Sequence, residues 1–391
     1  MKRIVKDPKT VRAVVRLVTP VIILAGLIAV PWLFTPGAAD LYGREIFPVI
    51  SLPFNVLSGS AQISLTENIV IVGGLSLFAG LIIFIIRFTV KLLGRGGAAR
   101  FAVNTVSTVL IIAIPFTAVY QLMHGIGYRR TPVTAIMKLP GGKYTIDDYR
   151  QALDWAYYNM TLARTKLGED YIGVAHTGGS FESDCEYANG LIDSFSEKYD
   201  IGLSRNFVRA KPVSLSKYWS LTRIVGMYDP FLGEANVNTG YVDVTSFPVT
   251  VCHELCHAKG FASETDCNII AVLACTMSNR QEFRYAGYYY IFWELYGIVA
   301  DYVKHKGGQL PEYMNSKAMA QVYRDMAASR SYWKNIDEMW LSELIAELSE
   351  DANDAVLKAN GTEGVSTYQI PRDIYLDYYM IYVKPLENKG G

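Results

Sequence analysis

Three long apolar runs in the first third of the chain constrain its fold more than any other feature. Residues 17–34 and 69–86 contain no charged side chain, and residues 101–122 contain only uncharged polar interruptions such as Asn104. Each run has about 18 to 22 residues, enough for an α-helix to cross a hydrocarbon core about 30 Å thick. The sequence therefore predicts a membrane anchor with three transmembrane helices within residues 1–125.

Basic residues beside these runs predict their orientation. The connection between the first two runs has a single basic residue, Arg44, whereas lysines and arginines gather elsewhere at positions 2, 3, 6, 9, 12 and 16 and at positions 87, 91, 95 and 100. The positive-inside rule then places the N-terminus in the cytoplasm and residues 126–391 outside it. Arg129 and Arg130, which follow the third run directly, are expected to meet phosphate headgroups.

The balance of charges in the sequence argues against nucleic acid as a partner. The 391 residues include 37 basic and 37 acidic ones, so no net positive charge favours nucleic acid, and the lipid bilayer is the expected partner.

Helical periodicity recurs through the outer part, for example near 145–167, 181–199 and 281–305. Only residues 211–250 combine glycine, proline and β-branched residues in the manner of short strands. The prediction is a mainly α protein with a small β element.

The pentad His253-Glu254-Leu255-Cys256-His257 is the strongest chemical signal in the chain. On a helix the two histidines stand one turn apart on one face, so both imidazoles can reach one metal ion. Glu254 lies beside that face, where a carboxylate can act as the base of a metal-dependent hydrolase. The alternative is a buried amphipathic helix with two hydrogen-bonded histidines, which does not account for the acidic residues that follow.

The residues after the pentad indicate how a third ligand reaches the metal. Gly260 is suited to end the helix in a left-handed turn, and Ser263 is suited to cap a new helix. The first turn of that helix carries Glu264 and Asp266, and the pattern alone leaves open which of them binds the metal.

The stretch before the pentad supplies a candidate substrate-binding strand. Its five residues are Glu234, Ala235, Asn236, Val237 and Asn238. Metallopeptidases commonly present an edge strand to which an extended peptide adds through backbone hydrogen bonds. A structural hairpin without substrate contact is the alternative.

Several of these segments resemble a family of bacterial membrane-anchored proteins that is catalogued as a domain of unknown function and carries an outer H-E-x-x-H domain. The similar segments are Gly226 to Asn238, Phe247-Pro248, His253 to Phe261 with Glu264 and Asn268, and more weakly Gly364 to Tyr368. The resemblance implies a zincin-like α+β metallopeptidase domain in residues 126–391, attached to the plasma membrane of a bacterium. It also implies one zinc ion per chain.

The spacing Glu264-x-x-x-Asn268 further resembles the Glu-x-x-x-Asp helix of gluzincin peptidases, with Asn in place of Asp. This resemblance implies that Glu264 is the third zinc ligand and that Asn268 contacts a ligand histidine on the side that faces away from the metal. Asp266 is the alternative ligand and is otherwise expected to lie just behind the ligands.

The expected activity is hydrolysis of peptide bonds outside the cytoplasm, with Glu254 as the general base. Tyr368 is expected to stabilise the oxyanion, because it lies in a segment that resembles the family; His176 and Tyr241 are the alternatives. Two other functions remain open, a non-catalytic zinc-containing receptor or scaffold and a zinc hydrolase of cell-wall amides. Intramembrane proteolysis is disfavoured, since the pentad follows the last apolar run by more than a hundred residues.

Overall fold

The structure is a computed structural model that describes residues 8–94, 97–368 and 373–390, and its first third consists of helices. These are α1 (Pro8–Ala29), α2 (Pro36–Leu41), α3 (Phe47–Gly59), α4 (Leu65–Leu93) and α5 (Ala98–Met123). Three stretches are long and apolar enough to cross a membrane, namely Val14–Leu33, Leu65–Leu93 and Ala98–Met123. The three predicted apolar helices are thereby confirmed. The basic residues at positions 2, 3, 6 and 95 lie outside the described residues.

The middle of the chain forms four helices and a small sheet. The helices are α6 (Val133–Ile136), α7 (Ile146–Arg164), α8 (Phe181–Tyr199) and α9 (Ser216–Trp219), and the strands are β1 (Lys211–Pro212), β2 (Gly226–Asp229) and β3 (Glu234–Val237). Thr145 and Asp148 form a capping box that fixes the start of α7. The prediction of a mainly helical protein with a small β element is confirmed.

The last part of the chain contains the pentad helix and the helices that surround it. These are α10 (Phe247–Ala258), α11 (Glu264–Thr276), α12 (Gln281–Lys306), α13 (Lys317–Asp337), α14 (Ser342–Ala359), α15 (Ile374–Tyr378) and α16 (Lys384–Gly390). Every residue of α10 is buried, because the helix packs between the sheet and the helices α8, α11 and α12. Burial on all sides explains why α10 and α11 carry small and apolar residues around their whole circumference. The five cysteines, four of them on these two helices, are buried and free.

Strand β3 is the central strand of the sheet and not an edge strand. It pairs with β1 in parallel and with β2 in antiparallel orientation. Glu234, Ala235, Asn236 and Val237 are almost completely buried, and Asn238 donates to the buried hydroxyl of Ser220. The prediction that residues 234–238 bind substrate at a free edge is therefore wrong, since β1 and β2 occupy both edges of the strand.

The residues of β3 instead hold the second apolar helix. The Glu234 carboxylate accepts hydrogen bonds from the backbone N–H groups of Leu65 and Thr66, at 3.2 and 2.8 Å, and so caps the start of α4. Asn236 contacts the Ser64 hydroxyl at 2.6 Å. Lys211 neutralises Glu234 at 2.6 Å, with both side chains fully buried. An apolar helix thus begins inside the polar network of the sheet.

The third apolar helix is also joined to other parts of the protein through hydrogen bonds at its end. The Tyr42 hydroxyl donates to the carbonyl of Leu122 at 2.7 Å and the Tyr228 hydroxyl donates to that of Met123 at 3.4 Å. These bonds satisfy two of the carbonyl groups that the end of α5 leaves without a helical partner. The end of α5 is therefore fixed by contacts on both sides.

The two arginines after α5 have interaction partners within the protein. Arg130 is buried, pairs with Asp40, and donates to the carbonyls of Ile201 and Gly202 at 2.9 and 3.0 Å. Arg129 stacks on Trp32 at 3.7 Å. The expectation of headgroup contacts is wrong for Arg130, because a buried guanidinium needs protein partners for its five donors.

Candidate metal centre

Helices α10 and α11 bring three potential ligand atoms to one point. The Nε2 atoms of His253 and His257 lie 3.0 Å apart. The Glu264 Oε2 atom lies 3.0 Å from the first and 3.3 Å from the second. The chain folds this way because Gly260, at a φ of +106°, reverses direction after α10, and Ser263 then caps α11. The three residues form a buried group that could hold a metal ion.

The spacing of these atoms fits a tetrahedral ion. Ligand atoms about 2.0 to 2.2 Å from a tetrahedral zinc are about 3.3 to 3.5 Å apart from one another. The three observed separations, 3.0, 3.0 and 3.3 Å, are only slightly shorter. Two imidazole nitrogens that face each other at such a distance need a proton or a cation between them. The donor set of two imidazoles and one carboxylate suits zinc and also other divalent transition metals.

The protonation states of His257 and Glu264 depend on each other. Burial opposes a charge on His257, but the Glu264 carboxylate outweighs it and raises the pKa of His257 to about 9. The Glu264 carboxylate is held in its ionised form by the two histidines, which lower its pKa in spite of burial. A divalent cation bound by these three side chains would displace the proton of His257.

Glu254 lies next to the histidines but outside the ligand group. Its side chain is buried, and burial raises its pKa to about 7, with the neighbouring histidines acting in the opposite direction. Its Oε2 atom is buried without a hydrogen-bond partner among the described residues. An unpaired buried carboxylate with a near-neutral pKa has the properties of a general base.

Strand β2 runs directly past this carboxylate. A Cβ atom added at Gly226 would collide with the Glu254 side chain, so only glycine permits the strand to pass so closely. β2 is an edge strand, since the order of the sheet is β1-β3-β2. Within the described residues, β2 and not β3 is therefore the strand near the metal centre that has one edge unpaired in the sheet.

Support for His257 comes from the backbone and not from Asn268. The Nδ1 atom of His257 lies 3.0 Å from the carbonyl of Phe261 and 3.4 Å from the sulfur of Cys267. The carbonyl fixes the tautomer that leaves Nε2 free for a metal. Asn268 donates instead to the carbonyl of Tyr368 at 3.0 Å, so the expectation that it supports a histidine is wrong.

Asp266 is not one of the converging ligands. Its Oδ1 atom accepts the backbone N–H of Val133 at 2.8 Å, and its own backbone N–H donates to Ser263. Burial raises the pKa of the Asp266 carboxyl. This residue ties α6 to the start of α11, and of the two acidic residues Glu264 is the one that belongs to the group that could hold a metal ion.

Of the three tyrosine and histidine candidates for an oxyanion donor, Tyr368 alone lies beside the metal centre. The Asn353 side chain donates to the Tyr368 hydroxyl at 3.2 Å. Burial raises the pKa of Tyr368, and the nearby carboxylate of Glu264 raises it further. His176 packs against Gly168, and Tyr241 stacks on Tyr332.

His124 is a component of the site that was not selected from the sequence pattern. It directly follows α5, and its ring centroid lies 5.6 Å from that of His257. Its Nε2 atom contacts the Tyr128 hydroxyl at 3.2 Å, whereas its Nδ1 atom is buried without a partner in the described part of the chain. Burial lowers the pKa of His124 to about 3, so the ring is neutral. Its position at the end of an apolar run was the one available signal.

Comparison with known proteins identifies the chain at the level of a family. Neither the curated proteins nor the solved structures contain a match to this sequence. One family matches over residues 42–371, a range that begins before the second apolar helix and includes the whole metal centre. Because the match covers most of the chain, the protein belongs to the family described as protein of unknown function (DUF3810).

Proposed function

We propose that the protein is a membrane-anchored, zinc-dependent metallopeptidase that hydrolyses peptide bonds outside the cytoplasm. The observation that carries the proposal is the convergence of His253, His257 and Glu264 beside the unpaired carboxylate of Glu254. Three protein ligands leave a fourth position open, as catalytic zinc sites do, whereas structural zinc sites are closed by four ligands. A structural site also has no use for a buried base.

The arrangement around the ligands agrees with a zincin-like domain of the gluzincin type. The pentad lies on one helix, the third ligand lies on the next helix, and an edge strand runs past the base. Zinc, one ion per chain, is the metal that this donor set and its near-tetrahedral spacing favour.

The side chains of the site have separable roles. When bound, zinc supplies a Lewis acid that polarises a carbonyl group and acidifies water. Glu254 takes a proton from the attacking water and delivers it to the leaving amine nitrogen, a role that its pKa of about 7 favours. Tyr368 donates a hydrogen bond to the carbonyl oxygen as negative charge develops there, and the backbone of β2 aligns the extended substrate.

The basic residues that flank the apolar helices support the proposed orientation. Arg12 and Arg16 accompany α1, and Arg87 and Lys91 lie in the last turns of α4. The positive-inside rule places these ends in the cytoplasm of a bacterium, so that the metal centre lies on the opposite side.

The test uses the full chain, purified in detergent and loaded with zinc, with randomised peptides as the substrate. Glu254→Gln is expected to keep one zinc per chain and to lose about 10²- to 10⁴-fold in hydrolysis rate, because the carboxylate is needed for proton transfer. Glu186→Gln, at an exposed position of α8, is the matched control and is expected to behave as the parent. Full activity in Glu254→Gln would contradict the role of the base. Zinc binding without hydrolysis of any peptide would favour a receptor or scaffold instead.

A further inference from the structure

The metal centre lies at the end of a membrane-crossing helix. His124 is the first residue after α5, which is long and apolar enough to span a bilayer, and its ring is 5.6 Å from that of the ligand His257. The ring of Tyr228, which lies 6.3 Å from that of His257, belongs to the side chain that donates to the last carbonyl of α5. More than a hundred residues separate α5 from the pentad in sequence, but the fold places them in contact.

Helix α3 has the polarity of a helix that faces lipid. Its inner face carries the buried polar residues Ser51, Asn55 and Ser58. Its outer face carries Val49 and Val56, which are 71% and 65% exposed, and the helix contains no charged residue. A helix in water has the reverse arrangement. Because α3 connects two apolar spans and belongs to the same continuous surface, the bilayer is the surface that covers it.

Contacts of α3 set the height of the metal centre above the membrane. Phe47, at the start of α3, packs directly against Gly260, the residue that ends the pentad helix. Only one residue separates this contact from Ala258, the last residue of α10. Phe47 of α3 and His124, directly after α5, thus lie beside Gly260 and His257, and both helices also expose apolar side chains.

The edge strand connects the metal centre to the bilayer. β2 begins at Gly226 beside Glu254, and the turn that follows it places Phe231 against Phe116 of α5, with ring centroids 5.7 Å apart. Phe116 lies about 12 Å, or eight residues, before His124 along the helix axis. The strand therefore runs from the base toward the membrane over about 10 Å.

From these contacts we infer that the substrate is a polypeptide held in the bilayer by a hydrophobic anchor on the amino-terminal side of the scissile bond. This inference rests on the proposed peptidase activity. A segment that adds to β2 in antiparallel orientation runs from the membrane to Glu254, so its amino-terminal end lies at the bilayer. The anchor is a lipid chain or a transmembrane helix, which present the same hydrophobic chemistry. Cleavage is expected within about three to five residues of the anchor, the length of β2.

The position of α3 is tested without reference to activity. Because all five native cysteines are buried, an environment-sensitive label attaches to the introduced residue alone in Val49→Cys or Leu52→Cys. Nitroxide-bearing lipids are expected to quench both labels in vesicles of phosphatidylethanolamine and phosphatidylglycerol. The control is Tyr171→Cys, in an exposed loop that packs near α13. Equal quenching at all three positions would overturn the inference.

The substrate class is tested with the zinc-loaded full chain in the same vesicles. A library of randomised peptides about ten residues long, which spans β2 with room to spare, is made with an N-terminal palmitoyl group, a palmitoyl group on a C-terminal lysine, or an N-terminal acetyl group. Mass spectrometry locates the cuts. The N-palmitoyl peptides are expected to be cleaved about tenfold faster than the acetyl peptides, with cuts beside the anchor. The peptide sequence that is cleaved fastest is then joined to a leucine-rich transmembrane helix in place of the palmitoyl group. Cleavage of this peptide shows whether the enzyme requires a lipid chain or accepts any hydrophobic anchor.

The outcomes distinguish this inference from the proposed function. Equal cleavage rates for the three libraries, or cuts concentrated at the end farthest from the anchor, would overturn the inference that the substrate is anchored in the membrane. Either result would leave the proposed peptidase activity unaffected. Faster cleavage of the C-terminally anchored library would overturn the antiparallel orientation. If no library is cleaved, or if Glu254→Gln cleaves as fast as the parent, the peptidase itself is wrong and the inference is wrong with it.

Discussion

The buried pair of Glu234 and Lys211 offers the sharpest test of how the outer part is joined to the membrane helices. We predict that Glu234→Gln destabilises the protein and leaves the metal centre chemically unchanged. The substitution keeps the shape of the side chain but removes the charge that faces the Lys211 ammonium group at 2.6 Å. It also places an amide NH₂ group where one carboxylate oxygen now accepts a backbone N–H of α4, from either Leu65 or Thr66.

The magnitude follows from the burial of both partners. Their side chains have no exposed surface, so Lys211 remains as a buried charge without its counter-ion, although the carbonyls of Ser58 and Ile63 still accept hydrogen bonds from it. Breaking a buried ion pair by removing one partner costs about 3 to 5 kcal/mol. Loss of one capping bond at α4 adds about 1 kcal/mol. The free energy of unfolding is therefore expected to fall by roughly 4 to 6 kcal/mol.

The assay is urea unfolding of the detergent-solubilised full chain, with zinc content measured on the folded fraction. Asp200→Asn is the control, because the Asp200 side chain is 85% exposed and its pair with Arg44 is expected to contribute less than about 1 kcal/mol. The double variant Glu234→Met with Lys211→Met is expected to recover much of the stability, since it leaves no unpaired charge. A Glu234→Gln variant as stable as the parent but defective in peptide binding would refute the reasoning and restore a substrate role for β3.

Three further predictions concern the metal centre and its attachment. Glu264→Ala is expected to lose bound zinc and Asp266→Ala to retain it, because of these two acidic residues only Glu264 has a carboxylate oxygen within 3.3 Å of both histidine nitrogens. Elemental analysis measures the zinc content of both variants, and the opposite result would make Asp266 the ligand. Zinc binding is expected to release about one proton per chain at pH 7 to 8, because the metal-free pKa of His257 is raised to about 9 and the ligand must be neutral. Above pH 9 the contribution of His257 to this release disappears, whereas that of a zinc-bound water does not. Calorimetry in buffers of different ionisation enthalpy measures the release, and an absence of buffer dependence at pH 7 would contradict a protonated His257 in the metal-free protein. A fragment that begins at Gly127 is expected to aggregate and to bind no zinc, because it lacks the helices that pack against β3 and Gly260. A soluble, zinc-loaded fragment would show that residues 127–391 fold without these helices.

The sequence alone predicted those features that depend on local pattern. Apolar runs of sufficient length predicted the three helices that are long and apolar enough to cross a membrane, and helical spacing placed His253 and His257 on one face. Glycine and serine preferences located the turn at Gly260 and the cap at Ser263. Each of these signals is a property of neighbouring residues, so no knowledge of the tertiary structure was needed.

Contacts between distant segments were decided by the tertiary structure. A four-residue strand has the same appearance in sequence whether its edges are paired or free, so β2 and β3 were not distinguishable as the edge strand. A lone histidine after an apolar run carries no local signal, and His124 acquires its place beside His257 only because α5 ends beneath α10. The distance between the pentad and the last apolar helix is likewise a property of packing, since the chain folds back over more than one hundred residues to place His257 beside His124, the residue after α5.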